Sequence, residues 1–287
     1  MKSCAIVIID YKPSLSVYER ISLEQCSLVL SHLDLFLVSF RGNDLTAHKR
    51  AIQRDERIFT VEFPKYYFKS IHRYNRLLTS KRFYESFKGY EYILIHHTDS
   101  FVFKNEIDYW CQKGYDYIGA PLYKYDGTMS PPAEDFICVG NGGFSLHKVS
   151  TALRVLSTFR RIYPIKTLLN WYGGYSLSGK IYYLPYFLLI LCGLGGNSYY
   201  RLNYLRVNED IFWGKHVAEA FPDFHVAPLE EASKFSMEYN CELLLKRNGG
   251  KIPFGCHGWF KQGFLDFWMY AIRQHKVAPT PLPPDRS

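Results

Sequence analysis

Residues 93–103 read ILIHHTDSFVF. An apolar run gives way to a polar cluster, and apolar residues resume at Phe101. That pattern predicts a strand over residues 92–96, buried on both faces and tipped by His97-Thr98-Asp99-Ser100. Working outward toward the amino terminus, residues 69–87 carry a helical pattern and residues 57–63 a strand. Residues 35–40 form another strand candidate, closed by the turn Arg41-Gly42-Asn43-Asp44. Residues 14–30 place Leu15, Val17, Ile21, Leu23 and Leu28 at helical spacing, with Ser14 or Ser16 as the N-cap. The Ile- and Val-rich run CAIVII at 4–9 is a first buried strand. Strand, helix, strand, strand, helix, strand is the order of an α/β domain with a mixed, mostly parallel central sheet flanked by helices.

Ligands of such sheets gather at the carboxyl ends of the strands, which puts Asp10, Tyr11, Arg41 and Asp99 along one edge. The rest of the 287-residue chain is less regular. YDYIGAPLY and FICVGNGGFSLH follow, then an aromatic insertion at about 163–206. Asn208-Glu209-Asp210 opens a helix, and Asn248-Gly249-Gly250 reads as a turn before IPFGCHGWF. The domain is expected over 1–275, with 276–287 a Pro-rich flexible tail.

Composition narrows the function classes. With 47% apolar and 22% charged residues the chain folds rather than staying disordered. The sequence has no repeat of fixed period, which sets solenoids and propellers aside. Seven cysteines without a CxxC pair argue against a disulfide framework or zinc finger and for a reducing cytosol. The amino terminus lacks the apolar stretch of a signal peptide and reads as a strand. A net charge of +8 and a pI near 9.0 favour anionic partners. Lys and Arg are scattered and outline no nucleic-acid-binding module, so no nucleic acid is expected as partner.

Four constellations can carry chemistry. Asp99 at a strand tip is where a metal holding a diphosphate would sit, with His97 pointing the same way; the plainer account is a turn cap. Gly140, Gly142 and Gly143 around Asn141 either wall a sugar pocket, with Asn141 and backbone amides as donors, or form an ordinary hairpin. Asp210, in the first turn of its helix, is either a general base for an attacking hydroxyl or a dipole complement. His257, between Cys256 and Gly258, has an unhindered ring that can take metal or phosphate; a lone His is more often structural.

Taken together, YNRLLTSKRFYESFKGYEYILIHHTDSFVF, WCQKGYDYIGAPLY, VGNGGFSLH, NEDIFW and FGCHGWF resemble a bacterial family long described as of unknown function and placed near the GT-A glycosyltransferases. The resemblance spans roughly residues 4–260. It implies a single GT-A-like, Rossmann-like domain that binds a nucleotide-sugar and passes the sugar to an acceptor hydroxyl. Asp99 matches the second acid of the DxD motif that holds a divalent metal, Mn²⁺ or Mg²⁺. His97 replaces the first acid, which puts metal dependence in question. His257 matches the late metal-binding His, and Asp210 the base of an xED motif in inverting members. Tyr11, Arg41, Asn75, Asn141, Gly142 and Gly143 are the expected donor contacts, with Arg73 and Arg76 near the crevice. The alternative is a non-catalytic nucleotide-sugar or carbohydrate-binding protein that kept the fold.

Residues 181–194, IYYLPYFLLILCGL, carry no charge but fall short of the ~20 residues that span a bilayer. Tyr and Trp flank them, with Lys166, Lys180, Arg201 and Arg206 nearby. That mix suits either an interfacial segment on an anionic membrane or, alternatively, an oligomer contact or a lid helix buried on the sheet. Membrane contact would make a lipid-linked glycan the natural acceptor, at the cytoplasmic face, in surface polysaccharide or lipopolysaccharide assembly.

Overall fold

In the first strand, β1 (Lys2–Ile9), successive side chains feed two different cores. Ala5, Val7 and Ile9 enter one apolar cluster, while Cys4, Ile6 and Ile8 enter the other. That is the period of two expected of a strand covered on both faces. β2 (Asp34–Phe40) and β4 (Tyr90–His96) divide their residues the same way, Leu35 and Leu37 opposing Phe36 and Val38, and Tyr92 and Leu94 opposing Ile93 and Ile95.

The computed structural model describes residues 2–52, 54, 56–124, 128–158, 162–191 and 208–283. With β3 (Ile58–Phe63) and the later strands β5 (Ser100–Val102), β6 (Tyr117–Ile118), β7 (Ala120–Tyr123), β8 (Phe136–Gly140) and β9 (Phe144–Lys148), the main sheet runs in the order β3-β2-β1-β4-β9-β6. β3, β2, β1 and β4 are parallel, and β9 is antiparallel to both β4 and β6. The fold is therefore a mixed α/β domain with a mostly parallel sheet flanked by helices. β10 (Ser236–Met237) and β11 (Gly255–His257) join β5 in a small second sheet, and β7 pairs with β8.

Local chemistry explains the helix ends. Ser16, not Ser14, caps helix Val17–Val29 in a reciprocal box with Glu19. The helix expected over 69–87 is two, Ile71–Leu78 and Lys81–Glu85, capped by Ser70 and Ser80. The Thr79 hydroxyl bonds back to the Asn75 carbonyl at 2.8 Å, and Ser80 restarts the chain as a new N-cap. Helix Thr46–Ile52 supplies the crossover that parallel β2 and β3 require, although TAHKRAI shows little apolar periodicity. The glycine-rich segment is not a hairpin: β8 pairs with β7, and the chain then leaves for the main sheet as β9.

Residues 277–280, expected in a loose tail, are tied down. The amides of Val277 and Ala278 donate to Gln25 Oε1, and that of Thr280 to Glu24 Oε2. Residues 284–287 lie outside the described residues, as do residues 192–207, which include Arg201, Arg206 and the end of the insertion. The insertion's described part holds helices Ile165–Gly173 and Leu177–Leu191. Six of the cysteines are described, and all six are free thiols.

Candidate metal and diphosphate site

β4 ends at His96, and a tight turn closed by the Ser100 amide on the His97 carbonyl at 3.0 Å leads into β5. Antiparallel pairing of β5 with β11 sets His257 opposite Ser100. These two features bring together His97, Asp99 and His257, whose ligand atoms lie within 4.8 Å of one another. The glycine segment closes the back of the site. The Gly143 carbonyl accepts from the His97 amide and the Ser100 hydroxyl, each at 2.8 Å.

Both glycines are needed for close approach. A Cβ on Gly143 would stand 2.1 Å from His257 Nε2, and one on Gly142 would stand 1.5 Å from Glu209 Oε1. Between them and β8, Asn141 takes a left-handed conformation at φ 65°. Its side chain bonds Glu238 and accepts from the Gly143 amide at 3.3 Å.

Electrostatics lock the cluster. His257 Nε2 lies 3.1 Å from Asp99, and its Nδ1 lies 3.2 Å from Glu238. Lys261 Nζ lies 3.5 Å from Asp99 and 2.9 Å from Glu238. Burial alone would lower the His257 pKa, but the two carboxylates outweigh it and hold the ring near 9. Burial likewise opposes ionisation of Glu238, yet His257 and Lys261 bring it down to about 2. Asp99 is held well below the usual carboxylate range for the same reason. His97 is different: burial and the nearby His257 charge lower it to about 4, so it is neutral at pH 7. The Tyr74 hydroxyl lies 2.5 Å from its Nε2 and fixes the ring.

A cleft of about 430 Å³ opens onto this cluster. Asp10, Tyr11 and Lys12 line one side from the end of β1, Phe68, Ser70 and Tyr74 a second, and His97, Asp99 and Lys261 the floor. Asp10 is fixed by the His48 ring at 2.9 Å and by the amides of Tyr11 and Lys12. Tyr11 is half-exposed and leans on Phe68 with ring centroids 6.0 Å apart.

Other sequence-predicted residues fall elsewhere. Arg41 stands at the end of β2 but is exposed and lines a separate polar basin with Asn43, Lys49 and Glu62. Arg73 and Arg76 stack on the Tyr66 ring. Asn75 is buried and donates to Asn208 Oδ1 at 3.1 Å, outside the cleft lining. Asn141, Gly142 and Gly143 stand behind the metal cluster and also lie outside that lining.

Glu209 and Asp210 begin a helix that widens into a π-helical stretch at Phe212–Val217, a form common at functional sites. Both carboxyls are buried, and burial raises both pKa values, that of Glu209 well above the usual range. Asp210 accepts from the amides of Ile211 at 2.7 Å and Asn141 at 3.2 Å, whereas Glu209 Oε2 is buried without a hydrogen-bond partner among the described residues. Glu238, Lys261 and Tyr74 escaped the sequence reading. Only the position of Lys261, four residues beyond His257, offered a signal.

Residues 57–257 match the family described as "Protein of unknown function (DUF5672)". The chain belongs to that family. The matched segment contains His97, Asp99, Glu209, Asp210, Glu238 and His257, and leaves Tyr11, Arg41 and Lys261 outside. Among solved structures, the chain is similar to the galactosyltransferase LgtC bound to donor and acceptor sugar analogues, with 12% identity, 98% of each chain covered and a TM-score of 0.49. It is similar to mouse xyloside xylosyltransferase 1 at 12% identity, with 90% of this chain and 98% of that one covered and a TM-score of 0.45. It is also similar to core-mannan synthase A from Aspergillus fumigatus in an Mn/GDP form, at 9% identity, with 76% and 70% covered and a TM-score of 0.45. No curated protein sequence matches the chain.

Proposed function

We propose that this DUF5672 member is a GT-A-type glycosyltransferase that moves a sugar from a nucleotide-sugar to a hydroxyl of a glycan or lipid-linked glycan, with inversion. The observation that carries the reading is the convergence of His97, Asp99 and His257 at the carboxyl end of β4, where His97 and Asp99, with Lys261, line a cleft of nucleotide-sugar size while His257 stands behind that lining. Two imidazoles and one carboxylate this close fit a divalent cation. Mg²⁺ prefers oxygen ligands, so Mn²⁺ suits the set better. Such a cation would offset the charge that develops on the leaving nucleoside diphosphate.

The chain's own groups supply the rest. Lys261, drawn in by Asp99 and Glu238, adds a fixed positive charge at the cleft floor. Glu238 and Tyr74 hold the two imidazole rings in place. Asp210, buried and outside the cleft lining, is the group we assign as the base for the acceptor proton. Its two backbone hydrogen bonds fix its direction, and burial moves its pKa toward neutrality, where a base works best. Glu209 stands beside it, its pKa raised by burial and by the neighbouring Asp210. The lipid-linked acceptor and a role in surface polysaccharide assembly draw on the resemblance of the five motifs and on the apolar insertion.

Replacing Asp99's expected acidic partner with His97 favours a second reading, a nucleotide-sugar-binding protein without turnover. Thermal stability with UDP, GDP, CMP or dTDP, each with and without Mn²⁺, tests the donor site. A saturating ligand at ~100-fold excess over its Kd contributes about 2.7 kcal/mol. Asp210→Asn then separates the readings. Transferase action predicts unchanged nucleotide stabilisation and a kcat lower by about 10²–10⁴-fold; unchanged transfer would remove Asp210 as the base.

A further inference from the structure

Helices Ile165–Gly173 and Leu177–Leu191 form a hairpin that packs on the domain by one side. Leu168 and Phe187 are buried in the core, and the Phe187 ring stacks on Tyr172 at 4.2 Å. The outward side is apolar. Leu177, Ile181, Leu184 and Leu188 recur at helical spacing with 77, 69, 44 and 50% of their surface exposed. Tyr182, Tyr186 and Leu189 widen the row, and Ile165 and Leu169 are exposed on the first helix. Single exposed apolar residues are ordinary, but a contiguous row marks a binding surface.

Charge selects the occupant. Residues 162–191 contain Lys166 and Lys180 and no acid, in a chain of net charge +8. A twofold contact with a second copy would set these cations near their own images without a hairpin carboxylate to pair them. An anionic surface answers both the apolar row and the lysines. The tyrosines match the headgroup level, where amphipathic rings collect. At 15 residues with Pro185 inside, the second helix is too short to span a bilayer, and no helix among the described residues is long and apolar enough to cross one.

We propose that this hairpin docks on an anionic lipid surface, the second helix lying in the interface with its Leu177–Ile181–Leu184–Leu188 row inserted. The proposal is independent of the glycosyltransferase reading. Co-sedimentation with vesicles of phosphatidylcholine, alone or mixed with phosphatidylglycerol, tests it. The protein is expected to bind the mixed vesicles and to release as salt is raised, because salt screens the lysines. Ile181→Glu/Leu188→Glu should lower the partition coefficient by at least about tenfold. Lys166→Ser/Lys180→Ser should lower it by about fivefold per lysine. Lys166, Ile181 and Leu188 are exposed and Lys180 is half-buried, and an unchanged melting temperature checks that the variants fold. Wild-type protein left in the supernatant with mixed vesicles would overturn the proposal. So would a dimer in gel filtration that Ile181→Glu/Leu188→Glu splits, which assigns the face to a second copy.

Discussion

At the amino end of the sheet Asp34 sits among Lys2, Arg57 and Tyr90; at the carboxyl end Asp99 sits among His257, Lys261 and His97. Both are carboxylates at strand ends, and both are depressed in pKa by neighbouring donors that outweigh burial. Asp34 binds outward-reaching partners: its own side chain is 2% exposed while those of Lys2 and Arg57 are 62% and 46% exposed. Three donors from β1, β4 and the start of β3 close over it, which joins strand ends. Around Asp99 the arrangement is inverted. Glu238 is buried and His257 only 12% exposed, and Asp99, itself 22% exposed, faces a cleft that Lys261 also lines. A charge cluster that staples strands is closed on itself; one that can take a ligand keeps its charges aimed at shared space.

That contrast breaks most visibly at Asp99. Asp99→Asn should lower turnover by about 10²–10³-fold, the scale of losing one preorganised charge-stabilising group. It should also abolish the Mn²⁺-dependent part of nucleotide stabilisation, while Glu238 still pairs with His257 and the fold persists. Metal-dependent stabilisation that survived the change would sink the site assignment. Glu238→Gln is the finer probe. Glu238 touches His257 rather than the cleft, so Mn²⁺ affinity should fall by about 10–100-fold, the usual effect of losing a carboxylate behind a ligating His. An unchanged Mn²⁺ titration would show that Glu238 only balances charge.

The sheet was legible because β1, β2 and β4 are continuous apolar runs whose polar tips mark their carboxyl ends. Asp99, His97 and His257 were legible as residue types at strand tips. Their meeting depends on the antiparallel β5–β11 pairing, a contact across more than 150 residues that no local pattern encodes. Glu238 lay hidden because it follows a two-residue strand, β10, too short to show a period. Arg41 misled for the opposite reason: strand topology puts it on the right edge, but the turn through Gly42, at φ 80°, directs the chain into the crossover helix and a basin of its own. The docked 277–280 strap depends on Glu24 and Gln25, buried acceptors on helix Val17–Val29, a contact across about 250 residues that likewise has no local signature.

The smallest expected effect lies at the closed end. The Asp34 pKa falls from its ordinary 3.8 to about 2, since Lys2, Tyr90 and Arg57 outweigh the opposing burial. A carboxylate depressed on folding adds stability above its unfolded pKa and loses it as pH falls through the folded value. With two exposed, solvent-screened partners the contribution is about 1–2 kcal/mol at neutral pH. Asp34→Asn should therefore lower the melting temperature at pH 7, and the gap from wild type should shrink as pH falls from about 4 toward 2. Nucleotide and Mn²⁺ binding should not change, because the substitution sits at the opposite end of the strands from the cleft. A loss of Mn²⁺ binding in Asp34→Asn would mean that the two ends are coupled through the sheet, and the division between a stapling cluster and a binding cluster would not hold.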